Sequence, residues 1–209
     1  MKLQMVTAQS ALPGNQQQIT PQQMHFVHKV SMLPPAPKGH QSVLLGMGCF
    51  WGAERFLWQI EGIYCTSVGY SGGFTVNPTY EQVCSGQTGH SEVVNVTYDP
   101  AITSFEVLLV HFWQNHIPTQ GMRQGNDLGT QYRSAIYCNT QQQVDIAVES
   151  RHQYQAALTH SEEQHDEITT EISLAGPYYF AEEYHQQYLA KNPQGYCGLG
   201  GSGVCFPAE

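Results

Sequence analysis

The chain has 209 residues, of which 41% are apolar and 12% are charged, and its formal net charge is −9 at pH 7. This length corresponds to one or two domains, and no run approaches the roughly 18 apolar residues of a membrane-spanning helix. The negative charge disfavours nucleic acid and anionic lipid as partners, and the N-terminus lacks the features of a signal peptide. We therefore expect a cytoplasmic protein that binds no nucleic acid and no membrane.

Residues 1–40 are rich in glutamine and proline and show no sustained periodicity, which predicts an extended N-terminal arm. The composition changes after this arm. The apolar run 43–47 predicts a buried strand, and residues 49–58 predict a helix that begins near Cys49.

The later elements follow from apolar periodicity and β-branched content. The pattern predicts strands at 63–70, 92–98, 133–138 and 169–173, and helices at 104–115, 140–159 and 181–191. Two long loops between these elements, 71–91 and 116–132, carry glycine-rich sequence. Long ordered loops in a compact domain are usually functional.

The opening order β-α-β-β-α-β predicts an α+β fold, a two-layer α/β sandwich of the ferredoxin-like plait type with a mostly antiparallel sheet. We divide the chain into the arm at 1–40, an α/β domain at 41–191 and a glycine-rich tail at 192–209. This tail forms a long irregular C-terminal segment and contains two cysteines.

Cys49 follows a predicted strand and stands at the start of a predicted helix. Unpaired N–H groups and the positive end of the helix dipole favour a thiolate there, and the thiolate is the reactive form of cysteine. Cys49 is therefore a candidate nucleophile, with a buried structural cysteine as the alternative. Phe50 and Trp51 add apolar surface, either for a pocket or for the core.

The other cysteines have different settings. Cys197 and Cys205 lie in the glycine-rich tail, where a flexible chain can bring a thiol to a partner for exchange. The alternative is that both are inert in the tail. Cys65 and Cys138 fall in predicted strands and are expected in the core, and Cys84 is also interpreted as structural.

Several polar residues near the two long loops are candidates for proton transfer or hydrogen bonding. Glu92 begins a strand at the mouth of a possible pocket, where partial burial keeps a carboxyl group protonated, or it is a solvated edge residue. Tyr80 and Tyr132 either donate phenolic hydrogen bonds or pack. Asp127 is either functional or a turn residue.

Metal and nucleotide sites lack support in the sequence. No C-x-x-C, H-x-x-x-H or H-E-x-x-H spacing occurs, and there is no G-x-G-x-x-G after a strand and no Walker lysine motif. We therefore expect no metal and no cofactor.

Taken together, several motifs resemble the A class of peptide methionine sulfoxide reductases. They are Gly48-Cys49-Phe50-Trp51-Gly52, Gly69-Tyr70-Ser71-Gly72-Gly73, the stretch 78–86 with Tyr80, Thr88-Gly89-His90-Ser91-Glu92, and the stretch 124–134 with Asp127 and Tyr132. The ending Gly195-Tyr196-Cys197-Gly198-Leu199-Gly200-Gly201 with Cys205 resembles the three-cysteine bacterial branch.

This resemblance implies reduction of the S epimer of methionine sulfoxide, free or in proteins, without a cofactor. Cys49 would be the nucleophile and Glu92 the acid, while Tyr80 and Tyr132 would hold the sulfoxide oxygen. The remaining implied roles are substrate methyl binding by Phe50 and Trp51, pocket shaping by Asp127, resolution by Cys197 and recycling by Cys205.

The resemblance also makes 41–191 the catalytic domain and implies thioredoxin as the reductant. We expect a monomer. Two other hypotheses stay open at this point. One is a cysteine hydrolase that uses Cys49 with His90 as its base. The other is a module that binds methionine peptides without catalysis.

Overall fold

The computed structural model describes residues 3–162 and 165–207. Its main sheet contains six strands, and two further short strands form a hairpin. The elements are, in chain order, β1 (Gln41–Met47), α1 (Phe50–Leu57), β2 (Ile63–Ser71), α2 (Tyr80–Cys84), β3 (Ser91–Tyr98), α3 (Phe105–Gln114), β4 (Arg123–Gln124), β5 (Asp127–Leu128), β6 (Ser134–Cys138), α4 (Gln141–His160), β7 (Glu171–Leu174), β8 (Tyr179–Phe180) and α5 (Tyr188–Lys191).

The strand order in the main sheet is β7-β6-β1-β3-β2-β8. Every neighbouring pair is antiparallel except β6 and β7, which run parallel. The predicted α/β architecture with a mostly antiparallel sheet is therefore confirmed. The register places Tyr70 of β2 opposite Glu92 of β3, so both side chains lie on the same face of the sheet.

The core lies between one face of the sheet and the helices. Alternate residues of β1 and β3, such as Val43, Leu45, Val94 and Val96, point into it because side chains along a strand alternate between faces. A smaller cluster lies on the opposite face and includes Leu44 and its neighbours from β3 and β6. Both faces are therefore covered, which agrees with the continuous apolar run of β1. Cys65 and Cys138 are buried, as predicted.

The helices begin where side-chain oxygens satisfy their first N–H groups. Thr79 forms a capping box with Gln82 at α2, while Ser104 and Thr140 accept from the third residue of α3 and α4. The α2 helix lies inside the predicted loop 71–91, and the β4–β5 hairpin lies inside the predicted loop 116–132. These loops therefore have local structure of their own.

The prediction of a helix over 181–191 is wrong in its extent, because only α5 is helical. The preceding residues form turns, and Gln187 adopts a left-handed conformation with φ 47° and ψ 42°. The side chain of Gln186 bonds to the backbone of Val68 in β2, and the Gln187 N–H donates to the carboxylate of Glu54. These contacts with distant residues replace the hydrogen bonds of a helix.

The N-terminal arm contains no helix or named strand between residues 3 and 40, and a single bridge joins Met24 to Ser31. It nevertheless packs on the domain, since His25 is fully buried. Residues 1–2 and 208–209, the ends of the predicted arm and tail, lie outside the described residues. Among the helices that the structure describes, none combines the length and the apolar character needed to cross a membrane.

Gly72 provides a test of close packing behind the first long loop. Its φ is +78°, and a Cβ atom there would overlap the hydroxyl of Tyr137. That hydroxyl donates to Glu171 at 2.7 Å and accepts from Arg133 at 3.1 Å, so it cannot move freely. We expect Gly72→Ala to lower the free energy of unfolding by at least about 2 kcal/mol, measured by urea denaturation.

Gly39→Ala is the matched control for this change. Its φ is +90°, but a Cβ atom there meets nothing within 4 Å. It should therefore cost only the backbone strain, about 1 kcal/mol. Equal losses in the two variants would show that contact with Tyr137 is unimportant.

Candidate active site

Cys49 lies in the loop between β1 and α1 and is the N-cap residue of α1. The strand ends at Met47, and the cysteine is half-buried where the helix begins. The backbone N–H groups of Trp51 and Gly52 lower the pKa of the thiol. The predicted location at a helix start is therefore confirmed.

Burial and two nearby carboxyl groups act on the thiol against the helix start. Burial raises the pKa of Cys49 well above its ordinary value, and the negative charges of Glu92 and Asp127 raise it further. Together these effects exceed the contribution of the helix N–H groups. The predicted contribution of the helix start is therefore present but not sufficient alone, and ionisation of Cys49 also depends on the state of the neighbouring carboxyl groups.

Glu92 is the second residue of β3 and acts on Cys49 across the site. It is 1% exposed, and its Oε2 accepts a hydrogen bond from the N–H of Phe50 at 3.1 Å. Its Oε1 has no partner within the described part of the chain. Burial raises the pKa of Glu92 to about 8, so the group carries a proton at neutral pH. A protonated carboxyl group exerts no charge repulsion on the thiolate of Cys49.

Two tyrosines lie close to this carboxyl group. Burial and the proximity of Glu92 raise the pKa of both Tyr80 and Tyr132, so their hydroxyl groups stay protonated. Cys49 and Asp127 also act on the pKa of Tyr132, which places all of these groups in one site. The site therefore offers hydroxyl groups as hydrogen-bond donors next to a protonated carboxyl group and a thiol.

Phe50 and Trp51 form an aromatic wall with three other rings. The Phe50 ring is buried and lies 5.1 Å from His185 between ring centroids. The Trp51 indole stacks on Tyr188 with centroids 4.0 Å apart, and its Nε1 donates to His185 Nδ1 at 3.0 Å. His185 also lies 4.4 Å from the ring of Tyr80.

The tail carries Cys197 to this site. The Tyr196 hydroxyl donates to Asp127 at 3.2 Å, and a Cβ atom built on Gly52 would lie 3.1 Å from the sulfur of Cys197. Only a small residue at position 52 leaves room for this approach. Cys197 therefore lies over the first turn of α1, the turn that Cys49 caps.

Cys205 lies elsewhere, exposed at the far end of the tail. The chain leads there past the carbonyl of Gln114 at the end of α3, and the Tyr154 hydroxyl of α4 bonds to Ser202 and to the carbonyl of Val204. The tail thus crosses from α1 to α4 between its two cysteines. Of the predicted site residues, the structure brings together all except Cys205.

His90 does not meet the requirements of the hydrolase hypothesis. Its Nδ1 accepts from the N–H of Gly73 at 3.1 Å, and its Nε2 bonds to the carbonyl of Thr75 at 2.7 Å. Both ring nitrogens are therefore engaged with backbone, and His90 is 2% exposed. No lone pair is available to accept a proton from Cys49. Among residues 3–162 and 165–207, no group of histidine, cysteine and acidic side chains has an arrangement that could hold a metal ion.

Comparisons with known proteins agree with this geometry. The family model described as peptide methionine sulfoxide reductase matches residues 41–202. A relative from Vibrio vulnificus, peptide methionine sulfoxide reductase MsrA, is 63% identical over 203 residues, which are 97% of this chain and 96% of the relative.

Solved structures show the same similarity. Methionine sulfoxide reductase A of Corynebacterium diphtheriae is 45% identical, with a TM-score of 0.85 and 93% of each chain covered. Reduced Mxr1 from Saccharomyces cerevisiae is 32% identical, with a TM-score of 0.73, and the match covers 80% of this chain and 93% of Mxr1. The chain therefore belongs to the peptide methionine sulfoxide reductase family, oxidoreductases that return methionine sulfoxide to methionine and so repair oxidised proteins.

Proposed function

We propose that this enzyme reduces the S epimer of methionine sulfoxide, protein-bound or free, by attack of Cys49 on the sulfoxide sulfur. One observation carries the proposal: a half-buried thiol lies beside the protonated Glu92, whose Oε1 has no partner in the described residues. A sulfoxide is a poor electrophile until its oxygen is protonated or strongly hydrogen-bonded. An acid opposite a nucleophile is what this reaction requires.

In the proposed reaction the sulfoxide oxygen accepts hydrogen bonds from Glu92, Tyr80 and Tyr132. The sulfur of Cys49 attacks the substrate sulfur, the oxygen passes to Cys49, and the products are methionine and a cysteine sulfenic acid. The substrate sulfur gains the two electrons that the cysteine sulfur loses. The proton that Glu92 gives to the oxygen is balanced by the proton that the thiol loses.

Phe50 and Trp51 bind the substrate methyl group in this proposal, and Asp127 shapes the pocket. The support is the aromatic wall beside Cys49 and the contact of Asp127 with Tyr196. Apolar rings favour a methyl group over a carboxylate or an amide. The wall also contributes to the burial that keeps Glu92 protonated.

The sulfenic acid is then resolved by the tail, as in the three-cysteine branch. Cys197 attacks the sulfur of Cys49, water leaves and a disulfide forms. Cys205 attacks Cys197, which releases Cys49 as a thiol, and thioredoxin reduces the Cys197–Cys205 disulfide. The support is that Cys197 lies over α1 and that Cys205 is exposed. The related yeast protein Mxr1 has been solved in complex with Trx2.

Other features of the prediction belong to the same proposal. The order β6-β1-β3-β2 of the central strands is that of a ferredoxin-like plait, which is the finer assignment we propose for the fold. The division at residues 40 and 191, the monomeric state and the cytoplasmic location stay predictions of the sequence.

A single-turnover experiment tests the proposed function. The reduced protein is mixed with one equivalent of a racemic methionine sulfoxide peptide without reductant, and mass spectrometry follows methionine and disulfides. We expect up to about half a methionine per protein, because one equivalent of the racemate contains half an equivalent of the S epimer, and a Cys197–Cys205 disulfide. Turnover without any new disulfide, or no methionine at all, would contradict the proposal.

A further inference from the structure

The turn beside the aromatic wall is hydrogen-bonded to a buried carboxyl group, that of Glu54. Glu54 of α1 is fully buried, three residues after Trp51, and the charge of Lys191 acts on it. Its Oε2 accepts from the N–H of Gln187 at 2.8 Å, and its Oε1 accepts from the Gln187 side chain at 2.8 Å and from the Thr66 hydroxyl at 3.0 Å. Three donors therefore converge on one carboxyl group.

Gln187 requires this support because of its conformation. A left-handed backbone is unfavourable for a residue with a Cβ atom, by roughly 1 kcal/mol, and persists where its surroundings determine it. The reversal at Gln187 separates His185 from Tyr188, and both reach Trp51, one by a hydrogen bond and the other by stacking. The position of Gln187 therefore determines how the two partners of Trp51 are placed.

The N-terminal arm completes these contacts from the other side. The N–H of Phe26 donates to Gln187 Oε1 at 3.0 Å, and Gln187 Nε2 lies 3.4 Å from the sulfur of Met32. His25 Nε2 lies 2.9 Å from the hydroxyl oxygen of Thr66.

His25, Thr66 and Glu54 form a chain of hydrogen bonds, and the partners of His25 determine which group donates in each bond. His25 Nδ1 accepts from the N–H groups of Val27 and His28, at 3.1 and 2.9 Å, so the ring proton is on Nε2. The Thr66 oxygen therefore accepts from His25 and donates its own proton to Glu54. His25, Thr66 and Glu54 are all buried, and a buried donor that loses its hydrogen-bond partner lowers the stability of the fold.

We propose that segment 22–33 of the N-terminal arm is a positioning element of the active site. It acts through His25, Thr66 and Glu54 on Gln187, and so holds His185 and Tyr188 against Trp51. The segment precedes the region 41–202 that matches the family model. The proposal rests on the proposed function, in which Trp51 binds the substrate methyl group.

Paired substitutions of His25 separate this role from folding. In His25→Asn, the amide oxygen can replace Nδ1 in the local turn, but the side chain is too short to reach Thr66. In His25→Gln, an N–H group can replace Nε2, while the turn loses its acceptor.

Substitutions of Thr66 test the centre of the same hydrogen-bond chain. Thr66→Val removes the hydroxyl group that links His25 to Glu54, and Thr66→Ser restores it. The control is Thr75→Val, because the buried Thr75 hydroxyl also bonds to the arm, at Leu12, far from Glu54.

The readout is the ratio of kcat/KM for methionine sulfoxide to that for its S-ethyl homologue, ethionine sulfoxide. We expect His25→Asn and Thr66→Val to lower this ratio about three- to tenfold, mainly through KM for the methyl substrate, since a displaced wall accepts the larger group. His25→Gln, Thr66→Ser and Thr75→Val should keep the wild-type ratio.

The outcomes distinguish the two proposals. An unchanged ratio in both His25→Asn and Thr66→Val, or an equal decrease in Thr75→Val, would overturn the role of the arm. A ratio that follows thermal stability across all the variants would also overturn it. Failure of the wild-type enzyme to form methionine would instead overturn the proposed function.

Discussion

Cys49→Ser is expected to abolish methionine formation, with a loss of at least about 10⁴-fold in the single-turnover rate. A serine oxygen is a weaker nucleophile than a thiolate, and it would have to take up the substrate oxygen as a hydroperoxide. A cysteine sulfur instead forms a sulfenic acid. The substitution therefore removes the only acceptor of oxygen in the proposed reaction.

The measurement is methionine released per protein after mixing with one equivalent of sulfoxide peptide. Cys138→Ala is the matched control, because this thiol is also buried but lies in the core. It should lose stability through a small cavity and retain the wild-type yield. Methionine formed by the Cys49→Ser variant would assign the nucleophile to another residue.

Glu92→Gln is expected to slow methionine formation by about 10²- to 10⁴-fold near neutral pH, the usual contribution of a positioned general acid. The amide still donates a hydrogen bond to the sulfoxide oxygen but cannot transfer a proton to it. Tyr80 and Tyr132 keep their hydroxyl groups in this variant, so part of the stabilisation of the oxygen remains.

The pH profile of kcat/KM gives a second signature of Glu92. The reactive state requires a thiolate and a protonated carboxyl group. Below about pH 8 the wild-type rate rises with pH because thiolate accumulates while Glu92 keeps its proton. Above this pH, each gain in thiolate is matched by loss of that proton, so the rise stops.

In the glutamine variant the rise should continue past pH 8, because no carboxyl group is left to titrate at that position. The ratio of wild-type to variant rates should therefore be constant below pH 8 and decrease above it. The control is the Cys138→Ala variant, which should keep the wild-type profile. If both enzymes levelled off at the same pH, another group would be the acid.

The fold was predictable where local pattern and tertiary structure agree. The apolar run of β1 and the β-branched residues of β3 form strands because their side chains are buried on both faces. The helix expected over 181–191 fails because Gln186 and Gln187 bond to Val68 and Glu54, more than 100 positions away in the chain. The apolar periodicity of a segment carries no information on contacts with residues so distant in the chain.

The candidate site likewise contains residues that local sequence predicts and residues that only distant contacts bring in. Cys49 and Glu92 were found because each stands at the end of an element, where local sequence determines the environment. His185 was missed as part of the aromatic wall, since its contact with Trp51 joins residues 134 positions apart. Burial raises the pKa of the Cys49 thiol most, and Glu92 and Asp127, which come from two other segments of the chain, raise it further.

Gly52 shows a conflict between stability and activity within one helix. Glycine inside a helix costs up to about 1 kcal/mol relative to alanine, so helix propensity alone favours a larger residue in α1. A methyl group there would press on the sulfur of Cys197 at 3.1 Å and force it to shift by a few tenths of an ångström. The chain thus has a poor helix former where the second thiol of the proposed relay lies, and a search for stabilising substitutions would select a change that shifts this thiol.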